Sequence, residues 1–164
     1  LDYGGAMTDG MEIVRIHRNV KDAAALLDPV CQRIKAATER YGSEGDSVVT
    51  LVLSTYAQRD LRVATWAFLK NGVLVGHLMA KVREWDGEMF AWIHQLEHDG
   101  MSTQAQWDAA FAEFSLWVAE VNVAYKAAGQ PAIRRIVAST PHNPKFFERR
   151  AGFSVWRTLV TREV

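Results

Sequence analysis

Two dipeptides, Asn71-Gly72 and Asp86-Gly87, each stand between runs of apolar, β-branched and aromatic residues: LRVATWAFLK, then VLVGHLMAKVREW, then EMFAWIHQLE. A two-residue hairpin turn needs two successive positive φ values. Gly adopts them without penalty and Asn or Asp tolerates them, whereas most side chains clash there. The pattern therefore predicts an antiparallel three-stranded meander over residues 61–97.

The flanking segments change period. MEIVRIH (11–17) alternates Ile13, Arg15 and His17 against Val14 and Ile16, the pattern of a half-buried strand. Residues 20–41 carry apolar positions at helical spacing, interrupted at Asp28-Pro29, and read as two short helices or one kinked helix. GSEGDS (42–47) reads as a loop, and 48–60 suits a strand by its β-branched residues or a helix by the spacing of Val49, Val52, Leu53 and Tyr56, with Asp46 or Ser47 as N-cap favouring the helix. After Gly100, the residues Trp107, Phe111, Phe114, Val118, Val121 and Tyr125 recur at spacings of three and four. They predict a long helix with Thr103 and Gln106 as capping box and Gly129 at its end. IRRIVAST (133–140) reads as a strand, Asn143-Pro144 opens a short helix that Gly152 ends, and FSVWRTLVT reads as a last strand. Residues 1–10 are set aside as a flexible or vector-derived extension, with Met7 or Met11 as the natural start, and 11–164 form one domain.

Composition narrows the function. With 19 Lys+Arg against 19 Asp+Glu in 164 residues, the chain lacks the basic excess of a nucleic-acid binder, and none is expected as partner. The only cysteine, Cys31, lies on an apolar helical face and reads as a small buried hydrophobe rather than a nucleophile. No apolar run is long enough to span a membrane, and a cytoplasmic location is expected. His94, Glu97, His98 and Asp99 are close in sequence, yet strand alternation sends His94 and Glu97 to opposite faces, so no metal site is expected. The six tryptophans read as core, with Trp85 and Trp92 the two that could line a groove.

Chemistry concentrates where the strand 88–98 runs into the long helix. The first amides of that helix, from Met101 through Ser102 and Thr103 to Gln104, follow Gly100 and form a candidate anion site of free N–H groups and helix dipole. On the strand, alternation places Glu97 with Ile93 and Gln95, and His94 with Trp92 and Leu96.

The element order, together with NGVLVGHL (71–78), AWIHQLEHDG leading into the helix at Ser102, IRRIVAST, and NPKFFERRAGF (143–153), resembles the GNAT superfamily of N-acetyltransferases over residues 11–164. The resemblance implies a mixed, mostly antiparallel α/β (α+β) sheet with helices on both faces, and acetyl-CoA as acyl donor. It also implies a primary amine, in a small molecule or a peptide, as acceptor, and a possible homodimer. It assigns Glu97 as base, with His94 second and His98 third. It puts Gln95, Leu96, Gly100, Met101, Ser102, Thr103, Gln104, Asn143 and Phe147 against the donor. Two departures stand out: the phosphate loop keeps a single glycine, Gly100, and Phe146 and Phe147 stand where many members have an acidic tyrosine. Reduced loops of this kind occur in small divergent members, including phage-encoded ones. The rival reading is a non-catalytic protein of the same fold that binds a protein partner.

Overall fold

The computed structural model describes residues 6–41, 45–57, 60–138 and 149. The predicted meander is present as β3 (Val63–Lys70), β4 (Val73–Trp85) and β5 (Glu88–His98), and its turn residues all have positive φ: 51° and 77° at Asn71 and Gly72, 56° and 73° at Asp86 and Gly87. β2 (Met11–Arg15) pairs with β3, and β6 (Arg135–Ala138) adds to β5 in parallel.

The segment set aside contributes a strand. β1 (Ala6–Thr8) pairs antiparallel with β2 across Asp9-Gly10, whose φ values of 51° and 72° repeat the geometry of the two later turns. The sheet order is thus β1-β2-β3-β4-β5-β6.

Helices cover both faces. α3 (Gln104–Ala127) packs Trp107, Phe114, Trp117 and Val121 against Trp66, Phe68, Leu78 and Ile93. Trp66, Phe114 and Trp117 meet with ring centroids 5.5–5.9 Å apart. Burying each such side chain contributes about 2–3 kcal/mol, which makes this layer the main core. On the opposite face α1 (Ala23–Tyr41) and α2 (Gly45–Tyr56) bring Val30, Ile34 and Val52 onto Ile16, Ala67 and Met79.

Of the two readings of residues 20–41, the single helix holds: α1 runs through Pro29, because Val30, Ile34 and Ala37 on its buried stripe hold the next turns against the sheet. α2 begins at Gly45, inside the stretch expected to be a loop. The capping box of α3 forms as expected, and its C-terminus closes through Gly129 (φ 68°), with the Gln130 N–H donating to the Tyr125 carbonyl at 2.8 Å. The helix expected from Asn143 and the closing strand lie outside the described residues.

Candidate active site

The register between β4 and β5 shifts once. Ala80 faces Ile93, but Met79 faces Gln95, which leaves His94 as the extra residue of a β-bulge. Past this bulge every side chain of β5 changes face. Leu96 and His98 join Ala91 and Ile93 on the α3 side, where the His98 ring stands edge-on to Trp107 at 4.8 Å. Gln95 and Glu97 lie with Trp92 on the α1 side, opposite Met79, His77 and Lys81. Glu97 and Gln95 share a face as expected. The expected grouping of Glu97 with Ile93, and of Trp92 with Leu96, does not hold, because the extra residue at His94 breaks the simple alternation along β5.

A buried polar chain ties this face to α1. The Thr38 hydroxyl donates to the Ile34 carbonyl at 2.8 Å, so it accepts from Gln95 Nε2 at 3.3 Å. Gln95 Oε1 is then left as acceptor for His77 Nε2–H at 2.6 Å. His77 is therefore the Nε2–H tautomer, and its buried Nδ1 carries an unshared lone pair with no partner among the described residues. Burial, only partly offset by the Gln95 bond, lowers its pKa to about 4, so the ring is neutral at pH 7.

Glu97 faces His77 directly across the ladder. One carboxylate oxygen pairs with Arg40 from the last turn of α1, and the other, Oε2, is buried and has no partner among the described residues. Beside it, Arg33 donates to Asp99 at 2.9 Å and to the Val75 carbonyl at 3.3 Å. This end of the sheet is tight: a Cβ on Gly76 would stand 2.5 Å from the Glu97 carbonyl oxygen and 2.9 Å from the His98 Cα. Sequence reasoning missed His77, Thr38 and Arg40, none of which lies in the strand-to-helix segment where the chemistry was sought.

The three candidate bases are thus separated. Glu97 offers, on the α1 face, an oxygen that has no partner among the described residues. His94 sits in the bulge, where desolvation and then the charges of Lys81 and Arg83 lower its pKa to about 4, which makes it a weak proton acceptor. His98 faces α3, on the other side of the sheet from Glu97, and burial also lowers its pKa.

The α3 N-terminus departs from expectation. The amides of Ser102 and Thr103 are not free: both donate to Gln106 Oε1, at 2.9 and 3.3 Å. The Thr103 hydroxyl donates to the Asp9 carboxylate at 3.0 Å, so the first hairpin places its own anion at this helix start. Met101 is buried in the α3 core, and Gln104 Nε2 donates to Asp108 at 2.8 Å. Gly100 has φ 95°, near the Lys70 ammonium. Leu96 packs against the α3 core, and the Gln95 side chain is committed to His77 and Thr38, which leaves their backbone groups for a ligand. Asn143 and Phe147 lie outside the described residues.

Elsewhere, a cavity of about 300 Å³ between α1 and α2 is lined by Leu27, Cys31, Lys35 and Leu53, and burial pushes the Cys31 thiol up, away from nucleophilic reactivity. Among the described residues no group of three His, Cys, Asp or Glu side chains is placed to hold a metal ion, and no helix is long and apolar enough to cross a membrane.

No family model matches the sequence, and no curated protein matches it significantly. Solved structures do match the fold. An aminoglycoside acetyltransferase from an uncultured soil metagenomic sample, solved in complex with sisomicin, is 13% identical; the match covers 95% of this chain and 96% of that one at a TM-score of 0.57. A GCN5-related N-acetyltransferase from Ralstonia eutropha is 16% identical over 94% and 99% of the two chains, TM-score 0.56. A predicted acetyltransferase from Clostridium acetobutylicum, solved with acetyl-CoA, is 13% identical over 93% and 96%, TM-score 0.55. The chain has the fold of GNAT-type acetyltransferases, a mixed and mostly antiparallel sheet with helices on both faces.

Proposed function

We propose that the protein is an N-acetyltransferase that moves an acetyl group from acetyl-CoA to a primary amine by direct attack. The observation that carries this reading is Glu97, on β5 beyond the bulge: one oxygen is held by Arg40 and the other is buried and, among the described residues, has no partner. A buried carboxylate oxygen without a hydrogen bond costs about 1–3 kcal/mol or more, and an acceptor ammonium that fills the place would recover that cost.

The chemistry follows from that position. The acceptor's ammonium gives a proton to Glu97 Oε2 and its freed lone pair attacks the thioester carbonyl carbon; as the C–N bond forms and the C–S bond breaks, the nitrogen's second proton passes to the departing sulfur, so that the amide and the free thiol result. The described pairing of β6 with β5 ends at Ile93 and Ala138, at the bulge. Among the described residues the far edge of β5 beyond it has no strand partner, and the backbone groups of Gln95 to Glu97 would hydrogen-bond the donor's amide arm and polarise the carbonyl. The diphosphate end fits less well, since the Ser102 and Thr103 amides already serve Gln106. That occupied helix start is also what favours the second reading, a protein of this fold that acts by binding a protein partner.

Mass spectrometry under native conditions separates the two: the first reading expects retained acetyl-CoA, and the second expects none even at millimolar ligand. With a working acceptor in hand, Glu97→Gln lowers kcat by about 10²- to 10⁴-fold, and an unchanged rate removes Glu97 as base.

A further inference from the structure

The transfer chemistry gives no role to His77, although that side chain is fully buried and stands directly opposite Glu97 in the β4–β5 ladder. Directly opposed side chains on one face have Cβ atoms about 4.5–5.5 Å apart, which brings an imidazole and a carboxylate within reach of each other. Each group has a buried acceptor to spare: among the described residues neither Glu97 Oε2 nor His77 Nδ1 has a partner. The chain from the Ile34 carbonyl through Thr38 and Gln95 keeps the ring proton on Nε2, so Nδ1 does not donate to the carboxylate. Nor do the other neighbours serve these two atoms. Ala67 of β3, opposite His77 on its other side, offers a methyl group, and the charges that reach the ring are Arg33 and Arg40 of α1. Arg40 bonds the other oxygen of Glu97. Arg33 bonds Asp99 and the Val75 carbonyl, and its buried Nε has no partner among the described residues. Two buried lone pairs are thus set in opposition across the ladder, an arrangement that one proton on Glu97 resolves.

From this opposition we infer that His77 is a positioning residue for the transfer. Once Glu97 has taken the acceptor's proton, the new Oε2–H turns about its C–O bond and donates to His77 Nδ1, which holds the proton away from the departing amide and thiol. The inference rests on the acetyl-transfer reading for the origin of that proton, and on the register and the two buried acceptors for its destination. The proton moves from nitrogen to Oε2 and, after the products leave, from Oε2 to solvent. His77 keeps its own proton on Nε2 throughout, and begins and ends the cycle neutral.

Glu97→Gln tests the contact without any substrate. The new carbonyl oxygen takes the place that Arg40 bonds, and the amide NH₂ replaces Oε2, which turns two opposed acceptors into a donor and an acceptor. The variant that removes the base is therefore expected to be more stable than the parent. Its urea midpoint at neutral pH rises with unchanged slope, and the folded-to-unfolded ratio increases about fivefold to tenfold. Replacing the ion pair to Arg40, a side chain more than half exposed, by a neutral contact takes back only a small part of this. In a His77→Phe background the same substitution is expected to give no such gain; the partner that Gln95 loses is lost in both members of that comparison and cancels. Nitrogen NMR of the intact Glu97→Gln protein is a second reading, independent of how well His77→Phe folds. The Nδ1 resonance of His77 is expected to move upfield from its position in the parent, as an imidazole nitrogen does on accepting a hydrogen bond. A Glu97→Gln midpoint at or below the parent's, a gain that persists in His77→Phe, or an unmoved Nδ1 resonance overturns the inference. Retention of acetyl-CoA by the parent is read separately by mass. Coupling between the two positions in a protein that retains none defeats the acetyl-transfer reading and leaves the contact standing, and retention without coupling does the reverse. With a working acceptor, His77→Phe is expected to lower kcat about tenfold at an unchanged KM for acetyl-CoA, and a change confined to KM overturns the positioning role.

Discussion

At the scale of single residues, one unpaired histidine decides which side chains meet. Counted back from the two-residue turn at Asp86-Gly87, where Trp85 faces Glu88, His77 would lie opposite Leu96; the extra residue at His94 moves it opposite Glu97. Nothing in the local sequence marks a bulge at His94, which bears no glycine and no turn chemistry. Glu97 was therefore legible as a candidate, whereas its neighbours were not. His77, Thr38 and Arg40 become partners only through long-range packing, and single-sequence patterns carry no such information. Gly76 gives this geometry a direct test. Its Cβ would enter the space of the Glu97 carbonyl and the His98 backbone, neither of which can move aside as a flexible side chain would. Gly76→Ala is expected to destabilise the fold by about 1–3 kcal/mol or more, read as a lower urea midpoint with unchanged slope. A midpoint equal to that of the parent would show that β4 and β5 approach less closely than the structure has them.

At the scale of elements, the sequence was most readable where backbone conformation is dictated by residue type. Three Asx-Gly pairs, at Asp9, Asn71 and Asp86, make three hairpin turns, so the rule that marks the meander marks the β1–β2 turn as well. Pro29 leaves two local outcomes open, a break or a single helix, and the burial of Val30 and Ile34 selects the single helix, a tertiary effect that propensity alone does not contain. The start of α3 was readable in outline and misread in consequence. The capping box of Thr103 and Gln106 was expected, and it is this box that occupies the amides offered as an anion site. Thr103 also holds Asp9, so one residue joins α3 to the first hairpin. Thr103→Ala is expected to cost about 1–2 kcal/mol of stability, above the lower end of the range for cap removal, because the Asp9 contact is lost with the cap. A double-mutant cycle with Asp9→Asn checks the coupling, and additive effects would mean that the hairpin and the helix start are energetically independent.

At the scale of the whole molecule, the balance of 19 basic and 19 acidic residues leaves the pH dependence of stability to the few groups that burial perturbs. Four histidines, His17, His77, His94 and His98, have pKa values below the ordinary 6.5, with desolvation the largest cause for each. Each is held neutral in the fold and takes up a proton more readily once unfolded. Below pH 6.5 the unfolded chain thus binds more protons, and stability falls as pH falls. The contribution is fully present above 6.5 and, for His77 and His94, is lost progressively down to about pH 4. The lowered carboxyls of Asp60 and Asp99, each bonded to an arginine, act in the same direction at lower pH, and the raised Glu113 acts against it. His77 is fully buried and carries the clearest share, on the order of 2 kcal/mol between pH 7 and 5 at about 1.4 kcal/mol per unit. His77→Gln keeps an amide N–H to offer Gln95 but does not titrate. Its urea midpoint is expected to vary less between pH 7 and 5 than that of the parent, whatever its absolute stability. Equal slopes for the two proteins would mean that His77 is not held neutral by burial, and would remove the tautomer that joins β4 through Gln95 to α1 behind Glu97.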